Sequence, residues 1–363
     1  MRTFLILFIL SLSLRVGLLF MIPGDLIPPN PAWETGAVSI SLATRGDFAD
    51  PYLIPTGPTA HMPPLQVVAM SLLYRLFGLG FLGGLLRWIL VMAASSALWA
   101  LMPWLGEILG VGRRAGILGG LVGAFSLTFP SELESFSALI LDLLAAVFLK
   151  RWKGLSRSRG PHLNSILLGL GLGVLFHLQP VLLAVVFGYL AFELWWFRGG
   201  GVWSSSGLVA LGIFLACIPW GVRNYLAFEQ VFFIRSNLGL ELYVGNHDGA
   251  HADIDVSAAR GSFQHPRTDL AEAQRVRELG EGPYMEEKLE EAIGWIRAHP
   301  WEFVKLTATR FLYFWAGPLH QPAGAAPYLA LSLLAILGAC RAHSSLGSLQ
   351  RAAVFIPLAT YPI

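Results

Sequence analysis

Long apolar runs dominate the chain and predict membrane-spanning helices. A span needs about 20 apolar residues. The runs predicted as spans are 3–22, 86–106, 115–130, 136–150, 164–179, 181–197, 205–221 and 326–340. The runs 303–318 and 352–363 are further candidates, and 303–318 fits either a tilted span or a surface helix. The run 63–78 is short and contains Arg75, so it predicts a helix on the membrane surface.

One segment between the apolar runs, residues 221–303, is rich in charge. It contains 22 of the 48 charged residues, whereas only 13% of all residues are charged and the mean hydropathy is +0.60. Such a chain is too apolar for a soluble core. Within this segment, 284–300 shows helical periodicity that ends at Pro300, with Leu289, Ile293 and Ile296 on one face. We therefore predict an all-α polytopic membrane protein with a mostly helical soluble loop.

Basic residues set the predicted orientation, because cytoplasmic loops carry an excess of Lys and Arg. The basic positions placed in the cytoplasm are Arg2, Arg113 with Arg114, the run 150–159, Arg198, and Arg341 with Arg351. The extracytoplasmic side then holds three segments, 23–85, 130–135 and 222–302.

This topology divides the chain into three parts. Residues 1–221 form a transmembrane module that includes the first extracytoplasmic loop, 222–302 form a second extracytoplasmic loop, and 303–363 form C-terminal membrane helices. The first apolar run contains Arg15, and no small-residue cleavage site follows it. We therefore interpret it as a retained span and not as a signal peptide.

Composition and motifs exclude several functional classes. Cys217 and Cys340 lie in apolar runs, so neither a disulfide framework nor a cysteine metal site is predicted. The net charge of +2 and the lack of a basic stripe argue against a nucleic-acid partner. His247 and His251 are four residues apart, but Gly249 between them favours a turn, so no metal site is predicted there. The sequence has no GxSxG, P-loop or HExxH motif.

Glu34 is the first candidate for chemistry. A helix that starts at Asn30 or Pro31 would place Glu34, Val38 and Leu42 on one face. A carboxylate held at the membrane edge can act as a general base. The alternative is a solvated loop acid stabilised by a helix N-terminus.

Glu132 and Glu134 are the second candidates, because they interrupt two apolar runs on the same predicted side as Glu34. Two carboxylates at one membrane face can serve as a base and an orienting group. Ionisable groups at the membrane are costly to desolvate, which favours a function for them. Acids in a turn between spans are also ordinary helix caps.

Arg223 and Arg235 form the third group, since a guanidinium fork binds two phosphate oxygens at once. The alternative for Arg223 is an anchor at headgroup level at the end of a span. Further candidates for substrate contacts are His61, Asn246 and His247. For His61, the alternative is a helix-end histidine whose hydrogen bonds are satisfied within the fold.

Four segments, in order, resemble a known family. They are WETGAVSISLATRGDF with GPTAHMPPLQVVAMSLLYRLFG, then PSELESFSAL, then PWGVRNYLAFEQVFFIRSNLGLELYVGN, and finally GPYMEEKLEEAIGWIRAHPWEFVKLTATRFLYFW. Together they resemble polyprenyl-phosphate-sugar-dependent membrane glycosyltransferases of the GT-C fold. The nearest resemblance is to bacterial relatives of protein O-mannosyltransferases and aminoarabinose transferases. The resemblance covers most of residues 25–320.

The resemblance implies a GT-C-like helical bundle with extracytoplasmic juxtamembrane helices, and a mechanism. The donor is a sugar on polyprenyl phosphate, and Glu34 is the general base of a single inverting displacement. Glu134 binds or orients the acceptor or the base, and Arg223 and Arg235 offset the developing phosphate charge. No cofactor is implied, and the acceptor is not identified. The expected location is the bacterial inner or plasma membrane, with the site facing the periplasm or exterior.

Two features depart from the family pattern. Thr35 follows Glu34 where many members of the wider fold carry a second acid, which argues against a loop metal site of the oligosaccharyltransferase kind. The chain ends inside an apolar run where relatives continue, so we interpret it as a fragment or a shortened member.

Two other functional classes remain open. The first is a transporter or flippase of lipid-linked sugars, which requires polar residues in the middle of several spans, whereas here they lie mostly at span ends. The second is a non-catalytic membrane scaffold that binds a partner through the 222–302 loop.

Overall fold

The computed structural model describes residues 1–361 except 22–23, 25–26, 28, 31–32, 127–131 and 157–162. Of the described residues 76% are helical and none lies in a strand. An isolated bridge joins Ala49 and Pro58. The helices are α1 (Arg2–Leu19), α2 (Glu34–Thr44), α3 (Pro64–Phe77), α4 (Phe81–Leu109), α5 (Arg113–Phe125), α6 (Glu132–Leu155), α7 (Leu163–Phe176), α8 (Leu182–Phe197), α9 (Gly200–Phe228), α10 (Leu238–Gly245), α11 (Ile254–Ala259), α12 (Leu270–Leu279), α13 (Glu281–Ala298), α14 (Pro300–Ala316), α15 (Pro322–His343) and α16 (Ser348–Thr360).

Among the described helices, four are long and apolar enough to cross a membrane: α1, α4, α9 and α15. They coincide with the predicted spans 3–22, 86–106, 205–221 and 326–340. In the part of the chain that the structure describes, each of the other predicted spans overlaps a helix, but α5, α7 and α8 have only 13, 14 and 16 residues. By length and composition, the four apolar helices α1, α4, α9 and α15 are those expected of a polytopic membrane protein.

The chain divides into two compact units. Unit 1 comprises Met1–Pro29, Leu73–Cys217 and Arg341–Tyr361, and unit 2 comprises Asn30–Leu72 and Ile218–Cys340 among the described residues. Residues 30–72, which the sequence division grouped with the transmembrane module, thus belong to the same unit as the charged segment.

Within unit 1, α4 and α5 pack at close range because glycines line α5. A Cβ atom on Gly116 would lie 2.2 Å from the carbonyl oxygen of Met102, and one on Gly123 would lie 1.9 Å from the ring of Trp99. Small residues at such positions let two backbones approach, which is the usual way that apolar helices associate in lipid.

Arg15, the charge that interrupts the first apolar run, is buried in unit 1 at 2% exposure. Its guanidinium donates to the hydroxyl oxygens of Ser11 at 2.6 Å and Ser95 at 3.1 Å, and to the carbonyl oxygen of Gly123 at 3.0 Å. Because these bonds satisfy the buried charge, Arg15 joins α1 to α4 and α5.

A second buried charge in unit 1, Arg151, belongs to the basic run 150–159 that was predicted to lie in a cytoplasmic loop. Arg151 forms two 2.7 Å hydrogen bonds to the carboxylate of Glu193 and also donates to Ser165 and Ser205. Its side chain is only 10% exposed. Arg151 is therefore an internal ion-pair partner and not a solvated loop charge.

The core of unit 2 joins the first loop to α10, α12 and α13. Its buried members are Tyr52, Leu240, Val244, Val276, Tyr284 and Met285. Gly239 of α10 lies so close to α13 that a Cβ atom there would be 1.9 Å from the carbonyl oxygen of Met285. This contact fixes α10 against α13.

The predicted helix at 284–300 is confirmed as α13, which begins earlier, at Glu281, and ends at Ala298 with His299 as its C-cap before Pro300. The fully buried face of α13 differs from the predicted apolar face. The buried side chains include Tyr284, Met285, Lys288 and Ala292, whereas Leu289, Ile293 and Ile296 are half-buried. Lys288 can be buried because it pairs with Glu272 at 3.3 Å and lies 4.4 Å from the ring centroid of Tyr243.

α2 begins at Glu34, not at Asn30 or Pro31 as predicted, because the N-cap residue Trp33 is extended with φ −105° and ψ 137°. The predicted face of α2 is present. Val38 is fully buried against Met62 and Val67, with Leu42 packed beside them. The predicted short helix at 63–78 is α3.

Candidate functional site

Glu34 occupies the first position of α2, and its side chain is 12% exposed. Nη1 of Arg267 donates to its Oε2 at 3.3 Å. The same guanidinium stacks on Trp33, 4.6 Å from the ring centroid. A side chain from the 222–302 loop therefore covers the carboxylate that the sequence singled out.

His265 lies on the other side of this carboxylate. Its Nε2 is 3.8 Å from Oε1 of Glu34, too far for a hydrogen bond. Burial, together with the neighbouring Arg267, lowers the pKa of His265 to about 4. The imidazole is therefore uncharged at neutral pH, and its contact with Glu34 is not an ion pair.

A cleft of about 430 Å³ adjoins this group. Ala37, Ile40 and Ser41 of α2 line the cleft. They lie three or more residues after Glu34 in the same helix. Helical spacing places Glu34 on the same side of α2 as Ala37 and Ser41. The rest of the lining comes from the first loop and one side chain of the second: Arg45, Asp50, Tyr52, Leu53, Ile54, Pro55 and Arg267. Its volume is within the range of small-molecule sites.

Residues 58–61 of the first loop are held by a buried carboxylate. Glu281 is 4% exposed. It accepts hydrogen bonds from the backbone N–H of Ala60 at 2.7 Å, from the hydroxyl of Ser236 at 2.6 Å and from the hydroxyl of Thr59. Burial raises the pKa of Glu281, and these donors act against that shift. Glu281 thus ties the first loop to the second.

Arg223 supports the same loop from the end of α9. It donates to the carbonyl oxygens of Thr59 at 2.7 Å and Phe48 at 2.9 Å, and to Oδ1 of Asn224 at 3.0 Å. Its guanidinium also stacks 4.9 Å from the ring centroid of Trp220. The structure places Arg223 as an anchor of the first loop, and a phosphate contact by it stays a prediction.

Arg235 and His61 are in contact. Nε of Arg235 donates to the carbonyl oxygen of His61 at 2.7 Å, and its Nη2 lies 3.7 Å from Oε1 of Glu241. The Arg235 side chain is 27% exposed, so solvent reaches it. The His61 ring is buried and hydrogen-bonds to the hydroxyl of Tyr52 at 3.1 Å. Burial lowers the pKa of His61 well below its usual range, so this ring is neutral.

Asn246 and His247 lie elsewhere in unit 2. Nδ2 of Asn246 donates to the carbonyl oxygen of Leu242, and its Oδ1 accepts from Arg310 at 3.4 Å. Nδ1 of His247 is 2.7 Å from the carbonyl oxygen of Asp248. No contact of either residue with Glu34 is seen in the described part of the chain, and their predicted substrate contacts stay predictions.

Glu132 and Glu134 lie in the first turn of α6, which begins at Glu132 and so starts inside the segment 130–135 that was predicted as a loop. Their side chains, and residues 127–131 before them, lie outside the described residues. The roles predicted for Glu134 and Glu132 therefore stay predictions.

Sequence reasoning missed the residues that shape the site most. Arg267 is 233 positions from Glu34, and no pattern links them. Glu281 does carry a local signal, because Gly280 before it has φ +84° as the N-cap of α13, and Gly282 after it is packed against Gln230. The two glycines therefore allow a positive φ at the N-cap and a close side-chain contact beside Glu281.

Among the residues that the structure describes, no group of three or more His, Cys, Asp or Glu side chains could hold a metal ion. Comparison of the chain with protein families, curated proteins and solved structures gives no match. The GT-C resemblance thus rests on the sequence segments alone.

Proposed function

We propose that the protein is a membrane glycosyltransferase of GT-C type that transfers a sugar from polyprenyl phosphate to an acceptor at the extracytoplasmic face. One observation supports it above the others. The Glu34 carboxylate stands at the start of α2, beside a ligand-sized cleft whose wall continues along the same helix. This is the placement that a general base needs to receive a proton from an acceptor seated in the cleft.

The proposed reaction is a single displacement. Glu34 takes the proton from the acceptor hydroxyl or amine, and the acceptor atom attacks the anomeric carbon. The bond between that carbon and the phosphate oxygen breaks, and its electron pair leaves with polyprenyl phosphate. The configuration at the anomeric carbon inverts.

The charge that develops on the leaving phosphate requires a fixed cation. Arg235 fits this role better than Arg223, because it is partly exposed and only its Nε is bonded to a main-chain carbonyl. Arg223 instead supports the site through the main chain at Phe48 and Thr59. Glu134 is kept as the residue that orients the acceptor or the base, on the strength of the sequence resemblance.

The proposal is tested by Glu34→Gln in membranes that contain the full chain. Labelled polyprenyl-phosphate hexoses and pentoses are supplied, and labelled product is counted. Loss of a general base should lower transfer by roughly 10²–10⁴-fold. The matched control is Glu290→Gln, an exposed acid on α13. Undiminished transfer by Glu34→Gln would remove Glu34 as the base, and no transfer of any donor by the wild type would contradict the proposed function.

A further inference from the structure

The side chains that line the cleft carry more positive than negative charge. Its lining contains two guanidinium groups, Arg45 and Arg267, and one carboxylate, Asp50. Asp50 is already committed, since its Oδ1 accepts from the N–H groups of Thr56 and Gly57 and its Oδ2 pairs with Arg45. Arg45 therefore has its carboxylate partner within the lining of the cleft. Arg267 does not, because its partner Glu34 lies outside the lining.

The contact between Arg267 and Glu34 is loose. At 3.3 Å it is longer than a charge-assisted hydrogen bond of about 2.7–2.9 Å. The Arg267 side chain is 33% exposed, so solvent screens the pair and makes it weak. Stacking on Trp33, itself 59% exposed, holds the guanidinium beside the carboxylate.

This contact also covers the proposed base. Glu34 is only 12% exposed, and one of its oxygens accepts from Arg267. A substrate hydroxyl needs a direct approach to a carboxylate oxygen at about 2.6–3.2 Å. Movement of Arg267 away from Glu34 opens that approach.

We propose that the cleft binds a phosphate group of the acceptor, and that this anion draws Arg267 away from Glu34 and uncovers the base. A guanidinium binds two phosphate oxygens at once, which makes phosphate a better partner than the single long contact to Glu34. The apolar wall of Ile40, Leu53 and Ile54 suits an acceptor with an apolar part next to its phosphate. The role given to the uncovered Glu34 and the assignment of the phosphate to the acceptor rest on the proposed function, whereas binding of a phosphate by the cleft does not.

The test is carboxyl footprinting of the purified full chain with a water-soluble carbodiimide and an amine, read by mass spectrometry at Glu34. Removing the cover with Arg267→Gln should raise labelling of Glu34 by roughly two- to fivefold, the factor for loss of one partly exposed ion pair. Arg267→Lys, which keeps the charge but loses the planar stacking on Trp33, should give labelling between the wild type and Arg267→Gln. The matched control is Arg275→Gln, which breaks the pair with Glu287 on α13 and should raise labelling at Glu287 only.

Phosphate is then added to the wild type, either as inorganic phosphate or as dodecyl phosphate in a neutral detergent. Increased labelling of Glu34, normalised to Glu287 in the same digest, supports the proposal, and it should be absent in Arg267→Gln. A response to inorganic phosphate shows that the anion alone suffices, and a response to dodecyl phosphate only shows that the apolar wall contributes.

A thermal unfolding transition would first show that the wild type and Arg267→Gln are both folded. Equal labelling of Glu34 in the two proteins would then contradict the claim that Arg267 covers Glu34. No response to either phosphate would overturn the anion site. The labelling measurement does not need sugar transfer. If phosphate raises labelling of Glu34 but the protein transfers no sugar, the proposed function is contradicted and the phosphate site is still supported.

Discussion

Glu281→Ala should destabilise unit 2 far more than loss of an exposed acid on the same helix. Glu281 is buried and accepts three hydrogen bonds, from Thr59, Ala60 and Ser236. These bonds connect α13 to the first loop and to the start of the second. Alanine at this position leaves all three donors facing a small void.

The magnitude follows from those three donors. Each buried donor left without an acceptor costs about 1–3 kcal/mol. Removing the buried carboxylate also removes its desolvation penalty, which is several kcal/mol before compensation. We therefore expect a net loss of roughly 2–5 kcal/mol in the free energy of unfolding. For a unit of this size that corresponds to a fall in Tm of roughly 5–15 °C.

The assay is thermal unfolding in detergent, combined with hydrogen exchange at the N–H of Ala60. The Glu281→Ala protein should melt earlier and exchange faster at Ala60, because that N–H loses its acceptor. Glu290→Ala, which removes an exposed acid from the same helix, is the control and should leave both unchanged. An unchanged Tm and unchanged exchange at Ala60 in Glu281→Ala would refute the assignment of Glu281 as the tie between the loops.

Two further predictions concern the same interface. Burial raises the folded-state pKa of Glu281 above the value of about 4.3 in an unfolded chain. Between the unfolded and the folded pKa of Glu281, the folded protein binds more protons than the unfolded chain. The free energy of unfolding therefore falls as the pH rises through this range. Thermal unfolding should therefore show the wild type losing Tm relative to Glu281→Gln from pH 4 upwards, and parallel curves would contradict this. Arg223→Lys cannot donate in a planar fork to both Thr59 and Phe48, so unfolding measurements should show a loss of roughly 1–3 kcal/mol; an unchanged Tm would contradict the anchor role.

The pattern of apolar residues was enough to predict most helices, because long apolar runs predict membrane spans and a periodic apolar face reports on burial. It failed where a charge is buried with a partner. Lys288 is charged and lies off the apolar face of Leu289, Ile293 and Ile296, yet it is buried against Glu272 and Tyr243. Arg151 was counted as a cytoplasmic loop charge, yet it pairs with Glu193. A single sequence does not show which distant residue will neutralise a charge.

The site was predictable only in part for the same reason. Glu34 could be found from its position beside a predicted span and at the start of a helix. The second-loop side chain that covers it could not be found, since Arg267 is distant in sequence and stands in a segment with no periodic pattern. Arg223 was recognised as significant, but the structure shows it bonded to main-chain carbonyls of the first loop.

The central claim is that Glu34 performs chemistry and does not merely bind the donor. The most direct measurement is native mass spectrometry of the purified protein incubated with a polyprenyl-phosphate sugar that the wild type turns over. The account predicts that Glu34→Gln retains the intact donor mass, whereas the wild type converts it to polyprenyl phosphate in the presence of acceptor. Conversion by Glu34→Gln at the wild-type rate would contradict the account.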